Sequence, residues 1–306
     1  MIESSPPHQA TLPMTLFLAG PTGSGKSAVA VELAEMLDAE IVSSDAYQVY
    51  RELPILTAAP SPADRERVPH HMVSIIPVQK NWNATEHYHR AMRCMEEIHA
   101  RGKIAIVTGG SGLYFKSSPT ACRKRRRGRC SPRRFRELFH GSAIRQTLFP
   151  GSGRSGLDGC LQPALCGTQS GNRPCRRKTS FLLEEELVDP PRGPGWVISR
   201  DVPELDERIA HRAARMMQEG AVEETASLGP CSATAERTLG LALIRSMLRG
   251  EISRENCQGQ LALATRQYAK RQRTWLKREQ WLRKLPASPS DSPRALAERI
   301  MEELGH

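Results

Sequence analysis

The sequence predicts an α/β fold in which helices flank a parallel sheet, and three observations carry this prediction. An apolar run at residues 14–19 is typical of a buried strand. The segment Gly20-Pro21-Thr22-Gly23-Ser24-Gly25-Lys26-Ser27 follows it, fits the P-loop pattern G-x-x-x-x-G-K-S/T and leads into helical periodicity at 28–37. Strand and helix patterns then alternate to residue 116, which predicts a P-loop NTPase-like sheet with its ligands at the carboxyl ends of the strands.

The P-loop segment predicts a phosphate site. Its glycines let the backbone approach an anion, toward which the amides of the loop and of the following helix N-terminus point. Lys26 adds a full positive charge, and the hydroxyl of Ser27 can bind Mg²⁺. A Gly-rich turn that matches by chance is the alternative, which the flanking strand and helix disfavour. The motif alone does not identify the phosphate that it holds.

Two further strands end in segments suited to a site. Residues 40–45 form a predicted strand that ends at Asp45, and residues 103–108 form another that ends at the loop 109–114. A short strand at 73–76 and a helix from Thr85 to about residue 100 lie between them. Because parallel strands present their carboxyl ends at one edge, we expect the P-loop, Asp45 and the loop 109–114 to converge.

Residues 117–180 differ from the rest of the chain. They carry 15 Lys and Arg against 2 Asp and Glu, a net charge of +13, so the remainder of this +11 chain carries −2. They hold five of the eight cysteines, no valine and a single isoleucine. So few branched apolar residues do not readily offset the entropy of ordering a chain. We interpret the segment as an atypical insertion, either a disordered basic arm that binds RNA or a stretch read out of frame. The lack of C-x-x-C spacing disfavours a zinc module.

The chain after this segment is predicted to be mainly helical. Order returns near Phe181, and helices are predicted at 203–220, 223–228 and 237–250. A long helix capped by Ser253 extends from 255 to about 285, and a Ser/Pro linker then leads to a short closing helix with Leu296 and Ile300 on its apolar face. We therefore expect residues 14–116 and 181–285 to form the core. Residues 117–180 would be inserted in it, and residues 286–306 would be a linker and C-terminal helix.

Composition limits the class of protein. A chain of 306 residues suits one large or two modest domains. No apolar run reaches transmembrane length, and residues 1–13 lack the pattern of a secretory signal. We expect a cytoplasmic protein with no membrane partner, whose cysteines are free thiols, metal ligands or incidental. The positive net charge belongs to residues 117–180 and is not a general nucleic-acid footprint.

Two other features carry chemistry. Asp45 can hold Mg²⁺ through water or act as a general base, and a turn cap is an equally weighted alternative. The basic helix segment 265–277 places Tyr268 and Trp275 on one face, which suits RNA phosphates and bases. An amphipathic helix with a solvated basic face is the alternative for this segment. We expect the adjacent His70 and His71 to be structural, because neighbouring side chains point apart.

Five blocks of the sequence, in this order, resemble those of bacterial tRNA dimethylallyltransferases, the tRNA isopentenyltransferase family. The resemblance covers roughly residues 14–116 and 181–285, and five ordered blocks are far more specific than a P-loop alone. The blocks are the P-loop, Ser44-Asp45-Ala46-Tyr47-Gln48-Val49-Tyr50-Arg51, Val68-Pro69-His70-His71, Gly109-Gly110-Ser111-Gly112-Leu113-Tyr114 and Thr265-Arg266-Gln267-Tyr268-Ala269-Lys270-Arg271-Gln272.

The resemblance implies transfer of a dimethylallyl group from dimethylallyl diphosphate to N6 of the adenosine 3′-adjacent to the anticodon in tRNA. Asp45 would accept the N6 proton, Thr22 and Arg237 would assist the reaction, and Ser27 would bind Mg²⁺. The implied diphosphate ligands are Gly20, Pro21, Thr22, Gly23, Ser24, Gly25, Lys26 and Ser27. The implied tRNA contacts are Asp45, Ala46, Tyr47, Gln48, Ser111, Arg266, Lys270 and Arg273. We expect a monomer whose partners are tRNA and dimethylallyl diphosphate.

The chain also departs from the family pattern. It has Leu56-Thr57-Ala58-Ala59-Pro60 where the family has Gly-Thr-Ala-Lys-Pro, Ser111 where the family has Thr, and Leu241 where the family has Tyr. The family's helical tRNA-binding insertion is expected where residues 117–180 lie, and they lack its pattern. The sequence therefore predicts a disrupted insertion and impaired transfer by this chain.

Two other functions remain open from the sequence. A small-molecule or nucleotide kinase would also use a P-loop, but the strand before Gly109 lacks a terminal Asp and no adenine-binding lid is evident. A non-enzymatic RNA-binding protein is the second alternative. Transfer of label from dimethylallyl diphosphate to tRNA, rather than of the ATP γ-phosphate to a small acceptor, would distinguish them.

Overall fold

A computed structural model describes residues 15–110 and 193–305 of the chain. Ser111, the segment 117–180 and the expected return of order near Phe181 lie outside these ranges. The described strands form one six-stranded sheet in the order β3-β2-β4-β1-β5-β6, and every pairing in it is parallel. The strands are β1 (Thr15–Ala19), β2 (Glu40–Ser43), β3 (His70–His71), β4 (Ala105–Gly109), β5 (Gly195–Ser199) and β6 (Arg283–Pro286).

Eight described α-helices surround this sheet. They are α1 (Lys26–Leu37), α2 (Pro62–Arg67), α3 (Ala84–Ala100), α4 (Val202–Gln218), α5 (Ala221–Ala226), α6 (Leu241–Leu248), α7 (Arg254–Leu276) and α8 (Pro293–Leu304). A single 3₁₀ turn, Ala235–Arg237, precedes α6. None of these helices is long and apolar enough to span a bilayer. The α/β fold with a parallel sheet and flanking helices is confirmed.

The central strand shows why the sheet is buried on both faces. Along β1, Leu16 and Leu18 belong to one hydrophobic cluster, while Phe17 and Ala19 belong to another. Successive side chains of a strand point to opposite faces, so helices must cover both sides. The first cluster includes the apolar face of α8, as predicted, with Leu296 and Ile300 almost fully buried.

The C-terminal part differs from the prediction. The helix expected to reach residue 285 ends at Leu276, and β6 pairs with β5 along the sheet edge. Burial of Leu285 and the backbone pairing favour a strand there over continued helix. The strand β5, which contains the fully buried Trp196, was not identified from sequence.

The strand predicted at 73–76 is wrong. Met72 and Ser74 have φ of 64° and 53°, so the backbone cannot stay extended through this segment. Only an isolated bridge between Tyr50 and Ile76 remains. The edge strand β3 lies just before it instead. The helix predicted to be capped by Thr85 is capped by Asn83, whose side chain accepts the amide of Glu86 at 2.9 Å.

Candidate active site

The P-loop joins β1 to α1 through glycines in left-handed conformations. Gly23 has φ of 83° and Gly25, the N-cap of α1, has φ of 90°. Side chains other than glycine rarely adopt these angles. No described side chain caps the first turn of α1. Its amides are therefore available to an anion, as expected at a helix N-terminus that binds phosphate.

Lys26 and Ser27 line an open cavity of about 1300 Å³. The loop 54–62 and one face of α4 form the other walls of this cavity. Burial lowers the pKa of Lys26 to about 8, against the attraction of Asp45 and with added repulsion from Arg212. The ammonium group has neither a hydrogen bond nor an ion pair with residues 15–110 and 193–305. A buried ammonium group without a partner is expected to bind an anion that enters the cavity.

Asp45 lies just beyond the carboxyl end of β2 and acts on this cation. Its Oδ1 accepts the backbone amide of Tyr47 at 2.9 Å and, more weakly, that of Gln48 at 3.4 Å. The predicted turn cap is therefore present. Oδ2 accepts no hydrogen bond from the part of the chain that the structure describes. The cap fixes one carboxylate oxygen and leaves the other for a ligand.

In the block 45–48, which was predicted to contact tRNA, the side chain of Gln48 makes hydrogen bonds within the protein. The carboxamide of Gln48 accepts from Ser43 Oγ at 2.8 Å and donates to the carbonyl of Ala58 at 3.0 Å. Ser43 Oγ in turn accepts the amide of Asp45 at 3.3 Å. Gln48 thus supports the turn that holds Asp45, while Ala46 is half-buried beside it.

Tyr47 lies within the electrostatic influence of Asp45 and of two cations. Burial and the nearby Asp45 raise the pKa of Tyr47 to about 12, while Arg237 and Arg271 act in the opposite direction. Arg237 is exposed at the end of the 3₁₀ turn, and it has no hydrogen bond or ion pair within the described ranges. The structure therefore places Arg237 near the Asp45 turn. Leu241, which replaces the family's Tyr, is fully buried at the start of α6.

The helix α7 contacts both the P-loop and the end of β4. Gln272, only 3% exposed, accepts the backbone amide of Thr22 at 2.7 Å. Trp275 Nε1 donates to the carbonyl of Gly110 at 3.1 Å. A Cβ at Gly110 would collide with the Gln272 amide and lie 2.8 Å from the Gly20 carbonyl, so only glycine fits there. Of the expected convergence of the P-loop, Asp45 and the loop 109–114, the structure shows the P-loop beside Gly109 and Gly110, while residues 111–114 lie outside the described ranges.

The opposite face of α7 is basic. Arg266 and Lys270 are exposed and Arg273 is half-buried, while Leu261, Ala269 and Leu276 of the other face are buried. Tyr268 is half-buried, and the Arg271 guanidinium lies 5.8 Å from the centre of its ring. This arrangement fits both the predicted RNA surface and its alternative, an amphipathic helix with a solvated basic face.

Sequence reasoning missed the arginines that surround the P-loop. Arg200 donates from Nε to the carbonyl of Ser24 at 2.9 Å and also pairs with Glu204. Arg208 donates from Nε to the carbonyl of Gly23 at 2.8 Å. Arg212 lines the cavity one helical turn further along α4. The i, i+4 spacing of arginines on an amphipathic helix was the available signal, but solvated helix faces show the same pattern.

The residues at the cavity suit a Mg²⁺–diphosphate ligand better than a protein-held metal. Mg²⁺ usually takes one or two protein oxygens together with phosphate oxygens and water, and the exposed hydroxyl of Ser27 can supply one. No group of three or more His, Cys, Asp or Glu in the described ranges could hold a metal ion. His70 and His71 serve the structure instead, since His71 Nε2 lies 2.7 Å from Glu40 Oε2 and His70 Nδ1 lies 2.7 Å from the carbonyl of Val68.

The chain is similar to known proteins over most of its length. The family model described as IPP transferase matches residues 48–137 and 177–279. A tRNA dimethylallyltransferase of Akkermansia muciniphila is 77% identical over 307 residues, which cover 96% of this chain and all of the relative. A tRNA dimethylallyltransferase of Kocuria rhizophila is 34% identical over 84% of each chain.

Two solved structures share the fold. The tRNA Δ²-isopentenylpyrophosphate transferase of Staphylococcus epidermidis has a TM-score of 0.69 at 24% identity, covering 96% of this chain and 99% of that one. A eukaryotic dimethylallyltransferase acting on tRNA has a TM-score of 0.64 at 20% identity, covering 94% and 77%. The family model spans more than half of the chain, and the bacterial relatives align over most of its length. The family resemblance is therefore confirmed, and the chain belongs to the IPP transferase family.

Proposed function

We propose that this chain transfers the dimethylallyl group of dimethylallyl diphosphate to N6 of the adenosine 3′-adjacent to the anticodon in tRNA, giving N6-isopentenyladenosine. One observation carries the proposal: Lys26 of the phosphate loop feels the charge of the Asp45 carboxylate, and the basic helix α7 is bonded to the same loop through Gln272. The names of the bacterial relatives support the same reaction. The cytoplasm is the compartment in which such an enzyme would meet tRNA.

The P-loop binds the donor in this proposal. The amides at the N-terminus of α1 and the ammonium of Lys26 receive the diphosphate, and Thr22 and Arg237 assist the reaction. The C1–O bond to the diphosphate breaks as the bond from N6 to C1 forms. Negative charge then accumulates on the departing diphosphate, which cations in a site of reduced dielectric stabilise. Mg²⁺ held with the help of Ser27 would neutralise part of the same charge.

Asp45 removes the N6 proton. An exocyclic amine is a weak nucleophile, and a positioned carboxylate that takes its proton in the transition state raises its reactivity. The Tyr47 amide fixes Oδ1, so that the unbonded Oδ2 is the acceptor. The Gln48, Ser43 and Ala58 contacts keep this turn in place as the base enters.

The basic face of α7 binds the tRNA backbone in this proposal. Arg266, Lys270 and Arg273 suit phosphate contacts, and the half-buried Tyr268 offers an aromatic face to an unstacked base. Gln272, on the same helix, bonds to the P-loop. Tight positioning of RNA and donor relative to each other is what an in-line transfer requires.

We also propose that residues 14–116 and 181–285 are the catalytic core and that residues 117–180 are an atypical insertion in it. The stretch 138–176, which the family model leaves unmatched, lies inside this segment. A chain in which the corresponding segment of a relative replaces residues 117–180 tests this point. Faster transfer by the chimera would support impairment by the native segment, and equal rates would oppose it.

The experiment that tests the function is incubation of the purified chain with labelled dimethylallyl diphosphate and unmodified tRNA. We expect label in the tRNA, at N6 of the adenosine beside the anticodon. Transfer of the ATP γ-phosphate to a small acceptor without prenyl transfer would favour a kinase. Binding of tRNA without any transfer, also by the chimera, would favour an RNA-binding role.

A further inference from the structure

The guanidinium of Arg200 joins the P-loop to two other parts of the chain. Arg200 follows β5 directly, and its side chain is only 4% exposed. Its Nε donates to the carbonyl of Ser24 at 2.9 Å. Its Nη1 donates to the carbonyl of Ser288 at 2.7 Å and to the carboxylate of Glu204. One buried side chain therefore connects the P-loop, the first turn of α4 and the linker that follows β6.

The bond to Ser24 fixes the peptide group that carries the Gly25 amide. A carbonyl and the N–H that follows it belong to one planar trans peptide and point in opposite directions. Gly25 is the N-cap of α1 and lines the cavity beside Lys26. Its amide has no acceptor within residues 15–110 and 193–305. Because Arg200 holds the carbonyl, this N–H points away from Arg200 and stays available to an anion at the helix N-terminus.

The linker that supplies the Ser288 carbonyl is itself held in place. The Ala287 amide donates to the carbonyl of Ser199 at 2.9 Å, at the end of β5. The Ser288 amide donates to Asp291 Oδ2 at 2.7 Å. Beyond the linker, α8 shares a hydrophobic cluster with α1, the helix that the P-loop opens. The C-terminal segment thus supports the P-loop through Arg200 and through α1.

We propose that Arg200 is a positioning residue for the donor diphosphate, because it aims the Gly25 amide at the anion and fastens the P-loop to the C-terminal linker. The inference rests on the proposed function, since it takes the anion to be the diphosphate of an isoprenoid donor. Arg200 does not contact the donor itself. Protein acceptors take up its Nε and Nη1, and it is not among the described residues that line the cavity.

Three variants of the full chain test this role. Arg200→Met removes the guanidinium, and Arg200→Lys keeps the charge beside Glu204 but offers one nitrogen for three acceptors. Arg101→Met is the matched control. Arg101 pairs with the buried Glu40 at the amino end of β2, away from the strand ends that carry the site, so this variant also leaves a buried carboxylate short of a partner.

Two measurements compare these variants without requiring tRNA. Calorimetric titration with inorganic pyrophosphate gives the affinity, and hydrogen exchange of the segment 20–27 shows whether the bound anion protects the amides of the P-loop. We expect Arg200→Met to weaken pyrophosphate binding by about 10-fold, because the Gly25 amide is no longer held toward the anion. Arg101→Met should change the affinity by less than about 3-fold, although it too should lower the unfolding temperature.

The exchange measurement separates positioning from a general loss of stability. Saturating pyrophosphate should protect the segment 20–27 in the wild type and in Arg101→Met, and should protect it less in Arg200→Met. A merely structural arginine would lower the unfolding temperature without this difference between the two variants.

Pyrophosphate affinity and protection that are unchanged in Arg200→Met overturn the role, and so does an equal loss of affinity in Arg101→Met. A wild type that does not bind pyrophosphate overturns it as well. If Arg200→Met does not fold, Arg200→Lys decides the matter, and wild-type affinity there overturns the role equally. The failure of the proposed function is separate. A wild type that binds pyrophosphate with the help of Arg200 but does not prenylate tRNA would refute the function and keep the positioning role.

Discussion

The contact between Gln272 and Thr22 gives the sharpest test of how the P-loop is held. The Thr22 amide donates to Gln272 Oε1 at 2.7 Å, and the Gln272 side chain is 3% exposed. Gln272→Leu keeps a similar volume but removes the acceptor. The Thr22 amide would then be buried without a partner, because Thr22 is only 7% exposed and Gln272 is the acceptor that its amide has among the described residues.

The size of the effect follows from this geometry. Leaving a buried donor unsatisfied costs about 1–3 kcal/mol, more than the net value of the hydrogen bond itself. For a domain of this size, each kcal/mol corresponds to a change of about 2–4 °C in the unfolding temperature. The P-loop would also lose one of its fixed points, so we expect a higher KM for dimethylallyl diphosphate.

The matched control is Gln267→Leu, on the exposed face of the same helix. Urea unfolding of the two variants, followed by circular dichroism, compares their free energies of unfolding. Donor titration at constant tRNA then compares KM. A Gln272→Leu variant that unfolds within about 0.5 kcal/mol of the Gln267→Leu control would refute the view that this bond holds the loop.

Three further features of the structure can be tested. The Glu224 carboxylate accepts hydrogen bonds from the amides of Ile55 and Leu56 at 2.7 and 2.9 Å. Glu224→Ala should therefore lower the free energy of unfolding, measured in urea, by about 1–3 kcal/mol. A loss no larger than that caused by Glu223→Ala, at an exposed neighbour, would contradict this. Burial lowers the pKa of Lys26 to about 8, so part of the Lys26 population is neutral at pH 8.5 and should take up a proton when pyrophosphate binds. Calorimetry at pH 8.5 in two buffers measures this proton uptake, which should be larger for the wild type than for Lys26→Arg. Equal uptake by the two proteins would contradict the prediction. Because the unfolded Lys26 holds its proton more tightly, the ligand-free fold should also gain stability as pH rises from about 8 toward 10.5. Replacing Arg266, Lys270 and Arg273 by Gln removes three cations that we expect to contact tRNA phosphates. The slope of log Kd for tRNA against the logarithm of the salt concentration should then fall by about 2–3, while pyrophosphate binding persists. An unaltered slope would show that this face does not contact the tRNA backbone.

Local pattern was sufficient to predict the first half of the sheet. The strands β1, β2 and β4 are short apolar runs, and the P-loop motif fixes where β1 ends and α1 begins. Strands of a parallel sheet that is covered on both faces are continuous apolar runs, so such runs can be identified as strands from the sequence.

The edge of the sheet could not be predicted in this way. β6 contains only one buried residue, Leu285, between exposed basic residues and Pro286. This pattern resembles the end of a basic helix, and proline is tolerated because the strand lies at the sheet edge. Its pairing with β5 defines the strand, and that pairing depends on a distant part of the chain.

The site was predicted as far as its motifs extend. Asp45 and the P-loop lie at the carboxyl ends of β2 and β1, the two strands that flank β4 in the parallel sheet. Arg212 and Gln272 could not be found, because each lies on a helix where its residue type is ordinary. Their place at the site becomes visible only from the tertiary structure, such as the bond from Thr22 to Gln272 and the cavity that Arg212 lines.

The central claim is that Asp45 acts as the base in prenyl transfer to tRNA from a donor held by the P-loop. Asp45→Asn tests it directly, since an amide oxygen can still cap the Tyr47 amide but cannot accept the N6 proton. The measurement is the single-turnover rate of label transfer from dimethylallyl diphosphate to unmodified tRNA, with pyrophosphate affinity as the control for binding. We predict a rate lowered by about 10²- to 10⁴-fold with affinity retained within a few fold. A rate equal to that of the wild type would contradict the proposed role of Asp45.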